Sequence, residues 1–274
     1  MPAFLSHDGL KIYYSDEGDG LPLLCLAGLT RTTADFDYVM PHLRGCRVIR
    51  MDYRGRGHSD WDKNWHNYSL PVECRDVLTL LDHLQVPRVA VLGTSRGGLN
   101  AMGLAMTHKD RLLGVALNDI GPELDPSGLS FIMSYLGRNP GAKNHVDAAR
   151  SLERSMTAFR DVPFTRWMEE AIKHFRKTPA GLAITYDPRL RDAVEAQGAQ
   201  AAPDLWPFFD ALDGLPLACL RGEHSDLLSA DTLAEMQRRR PDMIAATVMG
   251  RGHIPFLDEP ESVATLQTWI NSLK

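Results

Sequence analysis

Ser95 is the residue whose type and setting best suit nucleophilic chemistry. It stands in the run Val89-Ala90-Val91-Leu92-Gly93-Thr94-Ser95-Arg96-Gly97-Gly98. The apolar residues before it read as a buried strand. The small residues after it, Gly98, Ala101, Gly103 and Ala105, predict a helix over roughly 95–107 that lies close on a sheet. A serine at so tight a strand-to-helix corner is forced into an unfavourable backbone conformation, which lifts its hydroxyl clear of the sheet edge. Strand and helix then crowd together on both sides of the corner. Bulky side chains two positions before and two after would collide, and both positions are glycine, Gly93 and Gly97. The helix N-terminus would aim backbone N–H groups and a positive dipole end at the space beside the hydroxyl.

Such a hydroxyl needs a base. The chain has ten histidines, and position singles out His253. It follows the strand-like stretch 244–249 within the loop Gly250-Arg251-Gly252-His253-Ile254-Pro255, ahead of a helix from about Pro260. A carboxylate that fixes the imidazole tautomer is expected from Asp226, in the loop Gly222-Glu223-His224-Ser225-Asp226 that ends the strand-like stretch 217–221. The alternative acid is Asp119, which closes the strand-like stretch 112–117 in Asn118-Asp119-Ile120-Gly121-Pro122. Order alone does not choose between them. Asp226 is preferred because its polar, glycine-containing loop suits an exposed strand end. Glu223 reads as a solvated loop charge.

Serine, then acid, then histidine, with that glycine-flanked corner, resembles the α/β-hydrolase superfamily over nearly the whole chain. The stretch 23–26 followed by Ala27-Gly28-Leu29-Thr30 is similar to that family's strand and oxyanion loop. The stretch 47–51 followed by Asp52-Tyr53-Arg54-Gly55-Arg56-Gly57-His58-Ser59-Asp60 resembles the loop after its next core strand. Within the superfamily the likeness is to the esterase, lactonase and carbon-carbon bond hydrolase group. The resemblance implies an α/β fold: a mostly parallel eight-stranded sheet, helices on both faces and a helical cap insertion. It also implies an oxyanion hole made by the main-chain N–H groups of Leu29 and Arg96. Ala27-Gly28 stands where the family often has His-Gly, a departure that bears on how the loop is positioned. A serine at position 95, where dehalogenases and epoxide hydrolases of this family carry aspartate, points to acyl transfer.

Strands and helical patterns alternate to about Ile120 and resume near Leu215, which places an α/β-hydrolase core at 1–121 and 215–274. Between them, 122–214 reads as the helical cap, with amphipathic helices over 147–159 and 165–177. Most of its aromatic residues should pack internally, and Trp206 is the candidate substrate contact. Four arginines are expected near the cleft: Arg31 beside the oxyanion loop and Arg96 after the serine are equally candidates to grip a substrate carboxylate, a task suited to the guanidinium, whereas Arg54 and Arg56 read as loop pins.

The composition fits these expectations. The 274 residues are 44% hydrophobic and 24% charged, with a net charge of −5 and no basic run, which argues against a nucleic-acid partner. Cys25, Cys46, Cys74 and Cys219 form no disulfide or zinc pattern and read as buried thiols. The N-terminal residues lack a signal-peptide pattern and no stretch reaches membrane-helix length, so a cytoplasmic protein away from membranes is expected, and the sequence leaves monomer and homodimer both open. The implied reaction is hydrolysis of a small carboxylic ester or lactone through an acyl-enzyme, with no metal or organic cofactor. Hydrolysis of a carbon-carbon bond in a diketone-like substrate would use the same residues. A ligand receptor on the same fold is the third reading.

Overall fold

The computed structural model describes residues 1–199 and 203–273. Its strands are β1 (Ala3–Leu5), β2 (Lys11–Glu17), β3 (Leu21–Leu26), β4 (Cys46–Met51), β5 (Val89–Thr94), β6 (Leu112–Asn118), β9 (Leu217–Gly222) and β10 (Ile244–Val248), and they form one eight-stranded sheet. The order is β1-β2-β4-β3-β5-β6-β9-β10, with β1 and β2 antiparallel and the six strands from β4 onward parallel. Parallel strands need crossover connections, and these are helical. The helices include α1 (Leu70–His83), α2 (Arg96–His108), α8 (Ala230–Arg239) and α9 (Pro260–Ser272).

The central strands are buried on both faces, which is why they read as nearly continuous apolar runs. Alternate residues of β5 separate cleanly. Val89 and Val91 pack with Val77, Leu80 and Leu81 of α1 and Ala101, Met102 and Leu104 of α2. Ala90 and Leu92 pack on the opposite side with Leu266, Trp269 and Ile270 of α9. The strand period of two thus fixes which layer each side chain joins.

The loop after β4 carries charge into the interior. Arg54 is fully buried and donates two 2.7 Å hydrogen bonds to Asp76 of α1 and one of 2.6 Å to Asp62. A buried guanidinium is tolerated only with its donors matched to acceptors, and this set ties the loop to α1.

Between β6 and β9 lie the helices α3 (Pro126–Tyr135), α4 (His145–Ser155), α5 (Phe164–His174), α6 (Leu190–Gly198) and α7 (Trp206–Asp210). The segment also holds a hairpin, β7 (Phe175–Thr178) paired antiparallel with β8 (Gly181–Ile184), where the sequence predicts helix as far as Lys177. Gly181 takes φ +124° at the hairpin turn, a conformation suited to glycine. A second difference concerns the end of the segment. Phe209 and Leu212 belong to the main core cluster with α2, so by packing this stretch joins the sheet layers. Among the described residues no helix is long and apolar enough to cross a membrane.

Candidate active site

Ser95 caps the N-terminus of α2 with φ +50° and ψ −112°, a strained conformation for a residue bearing a side chain. The neighbouring glycines are required sterically. A Cβ on Gly93 would come within 2.6 Å of the Gly97 carbonyl oxygen, and one on Gly97 would overlap the carbonyl oxygen of Leu26. The corner therefore exists only because both side chains are absent.

His253 Nε2 lies 3.0 Å from Ser95 Oγ, and its Nδ1 lies 2.7 Å from Oδ2 of Asp119. An ionised carboxylate only accepts, so Nδ1 carries the proton and donates to Asp119. Nε2 is then the acceptor for the Ser95 hydroxyl. Asp119 is fully buried. Its Oδ1 accepts from the Gly222 N–H at 2.7 Å, and Oδ2 also accepts from Ser225 Oγ at 2.7 Å.

The expectation for the acid is thereby corrected: Asp119, and not Asp226, meets the histidine. Two features decide it. β6 is the direct neighbour of the serine strand β5, and Asp119, just past its end, takes the left-handed φ +56° that turns its side chain between Gly222 and His253. At the end of β9 the inward position belongs to Ser225, whose hydroxyl also accepts from the N–H groups of Leu227 and Leu228. Asp226 falls one residue beyond, on the wall of the cavity that contains Ser95 and His253. The sequence signal for Asp119 was a polar Asn118-Asp119 pair ending the strand next after the serine. Asn118 is itself buried and donates to Thr94 Oγ1 and to the Pro255 carbonyl, each at 3.2 Å, linking the serine strand to the histidine loop.

Leu29 and Arg96 sit where main-chain donors are expected. A Cβ on Gly28 would lie 3.8 Å from Ser95 Cβ, so the loop 27–30 flanks Ser95. Neither the Leu29 nor the Arg96 N–H donates to a protein acceptor among the described residues. Arg56 braces this loop: its Nε donates to the Leu29 carbonyl at 3.0 Å. Buried Glu73 joins both sides, accepting from Arg56 at 2.9 Å and from Arg96 at 2.8 Å. Burial alone would raise the Glu73 pKa, but Arg96 and Arg56 more than offset that and hold it below the usual carboxylate value. The side chain of Arg96 thus anchors the residue that follows Ser95 at the start of α2.

Glu223, expected as a solvated charge, accepts from the Gly250 N–H at 2.8 Å and so pins the histidine loop. The other side of that loop is held by the inserted segment. Arg160 N–H donates to the Gly250 carbonyl at 2.8 Å, and Arg166 of α5 makes 2.6 and 3.1 Å bonds to Asp258.

Ser95, His253, Asp226, Arg31, Phe131, Tyr135 and Met156 line a small cavity of about 40 Å³. It shares Arg31, Phe131, Tyr135 and Met156 with a larger, mostly apolar cavity of about 400 Å³. Arg31 is brought to the site as expected, but its guanidinium is already engaged, 3.3 Å from Glu170 and 3.6 Å from Asp35. Burial pulls its pKa down, and Asp35 and Glu170 outweigh that and raise it. It is a compensated cation and no free carboxylate clamp. Trp206 is not brought to the site: its Nε1 donates to Glu123 at 2.9 Å, its ring lies under Arg239 at 3.9 Å, and it packs on the core.

The fold, the glycine-flanked corner and the Ser95–His253–Asp119 chain agree with the family comparison, in which residues 22–260 match the alpha/beta hydrolase fold. The chain belongs to that family. Among its relatives is a 3-hydroxybutyrate-oligomer hydrolase of Cupriavidus necator, 36% identical over 92% of this chain and 88% of that protein. Another is a 2-(acetamidomethylene)succinate hydrolase of Mesorhizobium japonicum, 26% identical over 93% of this chain and 89% of that protein. A crystal structure of an alpha/beta hydrolase from Novosphingobium aromaticivorans superposes with a TM-score of 0.92 at 38% identity, covering 98% of this chain and 97% of that one.

Proposed function

We propose that this protein is a serine hydrolase that cleaves a small carboxylic ester or lactone through an acyl-enzyme. The observation that carries the reading is the unbroken chain from Ser95 Oγ to His253 Nε2 and from His253 Nδ1 to Asp119 Oδ2, at 3.0 and 2.7 Å. Ser95 attacks the carbonyl carbon while His253 takes its proton. The oxyanion is received by the N–H groups of Leu29 and Arg96 at the mouth of α2. His253 then protonates the leaving alcohol. Water enters, gives its proton to His253 and attacks the acyl-serine, and the acid leaves as Ser95 recovers its proton. Asp119 keeps the imidazole in the competent tautomer and stabilises the imidazolium. Residues of α3–α5 act as the cap over this cleft.

The apolar character of the 400 Å³ cavity supports a hydrocarbon-rich substrate, and the compensation of Arg31 removes the main argument for a required carboxylate near the scissile bond. The relative that hydrolyses 3-hydroxybutyrate oligomers supports an ester of a short hydroxy acid as the substrate class. The test is repeated turnover of short-chain p-nitrophenyl esters by the purified protein beside Ser95→Ala. Turnover that disappears in the variant is expected. Turnover that survives Ser95→Ala, or none by the unaltered protein on any ester or lactone, overturns the proposal.

A further inference from the structure

Asp226 is left without a task once Asp119 occupies the histidine. It is half-buried, and no hydrogen bond or ion pair among the described residues engages its carboxylate; only its main-chain carbonyl is used, by Ser127 Oγ at 3.3 Å. It nevertheless lines the same cavity as Ser95 and His253. The ring of Tyr135 lines it too, and the Asp226 charge acts on the Tyr135 hydroxyl, which burial and that charge shift upward against the opposing pull of Arg31. The other walls are Arg31, already held by Asp35 and Glu170, the glycines at 28 and 128, and the apolar side chains of Phe131, Ile132, Met156 and Ile254. The compartment is therefore mixed in character, its polar lining supplied by Ser95, His253, Arg31 and Asp226, and the Asp226 carboxylate is the acceptor there that no protein donor engages among the described residues.

An unengaged, half-buried carboxylate on the wall of a cavity this small loses hydration that a ligand's donor can replace. A neutral acceptor on the ligand gains nothing from it, and an anionic group is repelled, because Arg31 is already compensated by Asp35 and Glu170. At about 40 Å³ the compartment holds roughly three water-sized groups, the room of a short acyl chain. We infer that Asp226 is a specificity residue that accepts a hydrogen bond from a hydroxyl on the acyl part of the substrate, so that hydroxyacyl esters are preferred over plain and carboxylated ones. The inference rests on the serine-hydrolase reading above and deepens it.

The test compares kcat/KM on p-nitrophenyl 2-hydroxybutanoate, 3-hydroxybutanoate, butanoate and hydrogen succinate, in the unaltered protein, Asp226→Ala and Asp226→Asn. The unaltered protein should favour one hydroxy ester over butanoate by about tenfold or more, the size of one charge-assisted hydrogen bond. That preference should fall to near unity in Asp226→Ala. In Asp226→Asn the succinate ester should gain relative to butanoate, a change that loss of folding or of a purely structural contact would not produce. Equal loss on all four esters, or no hydroxyl preference to begin with, overturns the inference. Ligand-observed NMR of methyl 3-hydroxybutanoate, methyl 2-hydroxybutanoate and methyl butanoate with Ser95→Ala requires no turnover. A hydroxyl preference there, in a protein that hydrolyses no ester, would retain Asp226 as a binding residue and overturn the serine-hydrolase reading instead. Absence of that preference in an active enzyme does the reverse.

Discussion

Asp119→Asn should cost about ten-thousandfold in kcat while leaving the protein folded. The backbone tolerates the change, because asparagine adopts the left-handed φ +56° of this position nearly as readily as aspartate. The carboxamide oxygen can keep the 2.7 Å bond from the Gly222 N–H. The amide NH2 then takes the place of Oδ2, where Ser225 and His253 both now donate. Ser225 Oγ already accepts from the Leu227 and Leu228 N–H groups, so it can turn its proton away but gains no bond from the new amide. The imidazole can accept only by moving its proton to Nε2, which is then unable to receive the Ser95 proton, and the imidazolium loses its counter-charge. The corresponding exchange in other serine triads costs about four decades, or roughly 5.5 kcal/mol at 1.36 kcal/mol per decade. The stability cost should stay within about 1–3 kcal/mol, that of one disturbed buried hydrogen bond. Steady-state hydrolysis of p-nitrophenyl butanoate, read beside urea denaturation, measures both. Asp226→Asn run in parallel should lose far less. An Asp119→Asn protein that keeps more than about a tenth of its kcat, with Asp226→Asn inactive, would refute the assignment of the acid.

Ser225→Ala removes one donor from Asp119 and leaves the Leu227 and Leu228 N–H groups unsatisfied, so urea denaturation should show a loss of about 1–2 kcal/mol and kcat should fall about tenfold. Unchanged stability would contradict the role given to its hydroxyl. Glu73→Gln uncouples Arg56 and Arg96 and should destabilise by about 3 kcal/mol at pH 7. Because the folded-state pKa of Glu73 is depressed, its stabilisation is fully present above the ordinary value of 4.5 and is lost as pH falls through the lower folded value. The stability gap between the two proteins should therefore be widest near neutrality and narrow in acid below that value; a gap that widens toward acid contradicts the sign. Burial pushes the Cys74 thiol up to about 12 and raises those of Cys25 and Cys219 as well. Their labelling by a disulfide reagent at pH 8, located by peptide mapping, should wait for denaturant. Fast labelling of any of the three in the native protein would show that its strand or helix opens.

The glycines at 93 and 97 made the strained corner at Ser95 legible, because a corner this tight has a steric requirement that composition alone can meet or fail. The apolar runs of β3, β5, β6 and β9 made the parallel sheet legible, since burial on both faces writes itself into consecutive residues. His253 was legible from its loop after the last strand. Local pattern was less informative where partners come from far along the chain. The hairpin β7–β8 has residues compatible with continuing α5, and only pairing between the two strands makes it a sheet. Trp206 offered an aromatic ring, and its Glu123 and Arg239 partners took it out of the cleft.

The choice between Asp119 and Asp226 shows the division most directly. Sequence determined that a serine at a glycine corner, a histidine in a late loop and two carboxylates at strand ends would gather at one edge of a parallel sheet, because strand period and chain order fix that edge. Which carboxylate meets the imidazole was decided by the adjacency of β6 to β5, the left-handed backbone at Asp119 and the inward turn of Ser225. The contacts of Asp119 with Ser225 and His253 join residues 106 and 134 positions apart, and they are set by packing, which no local stretch of sequence encodes.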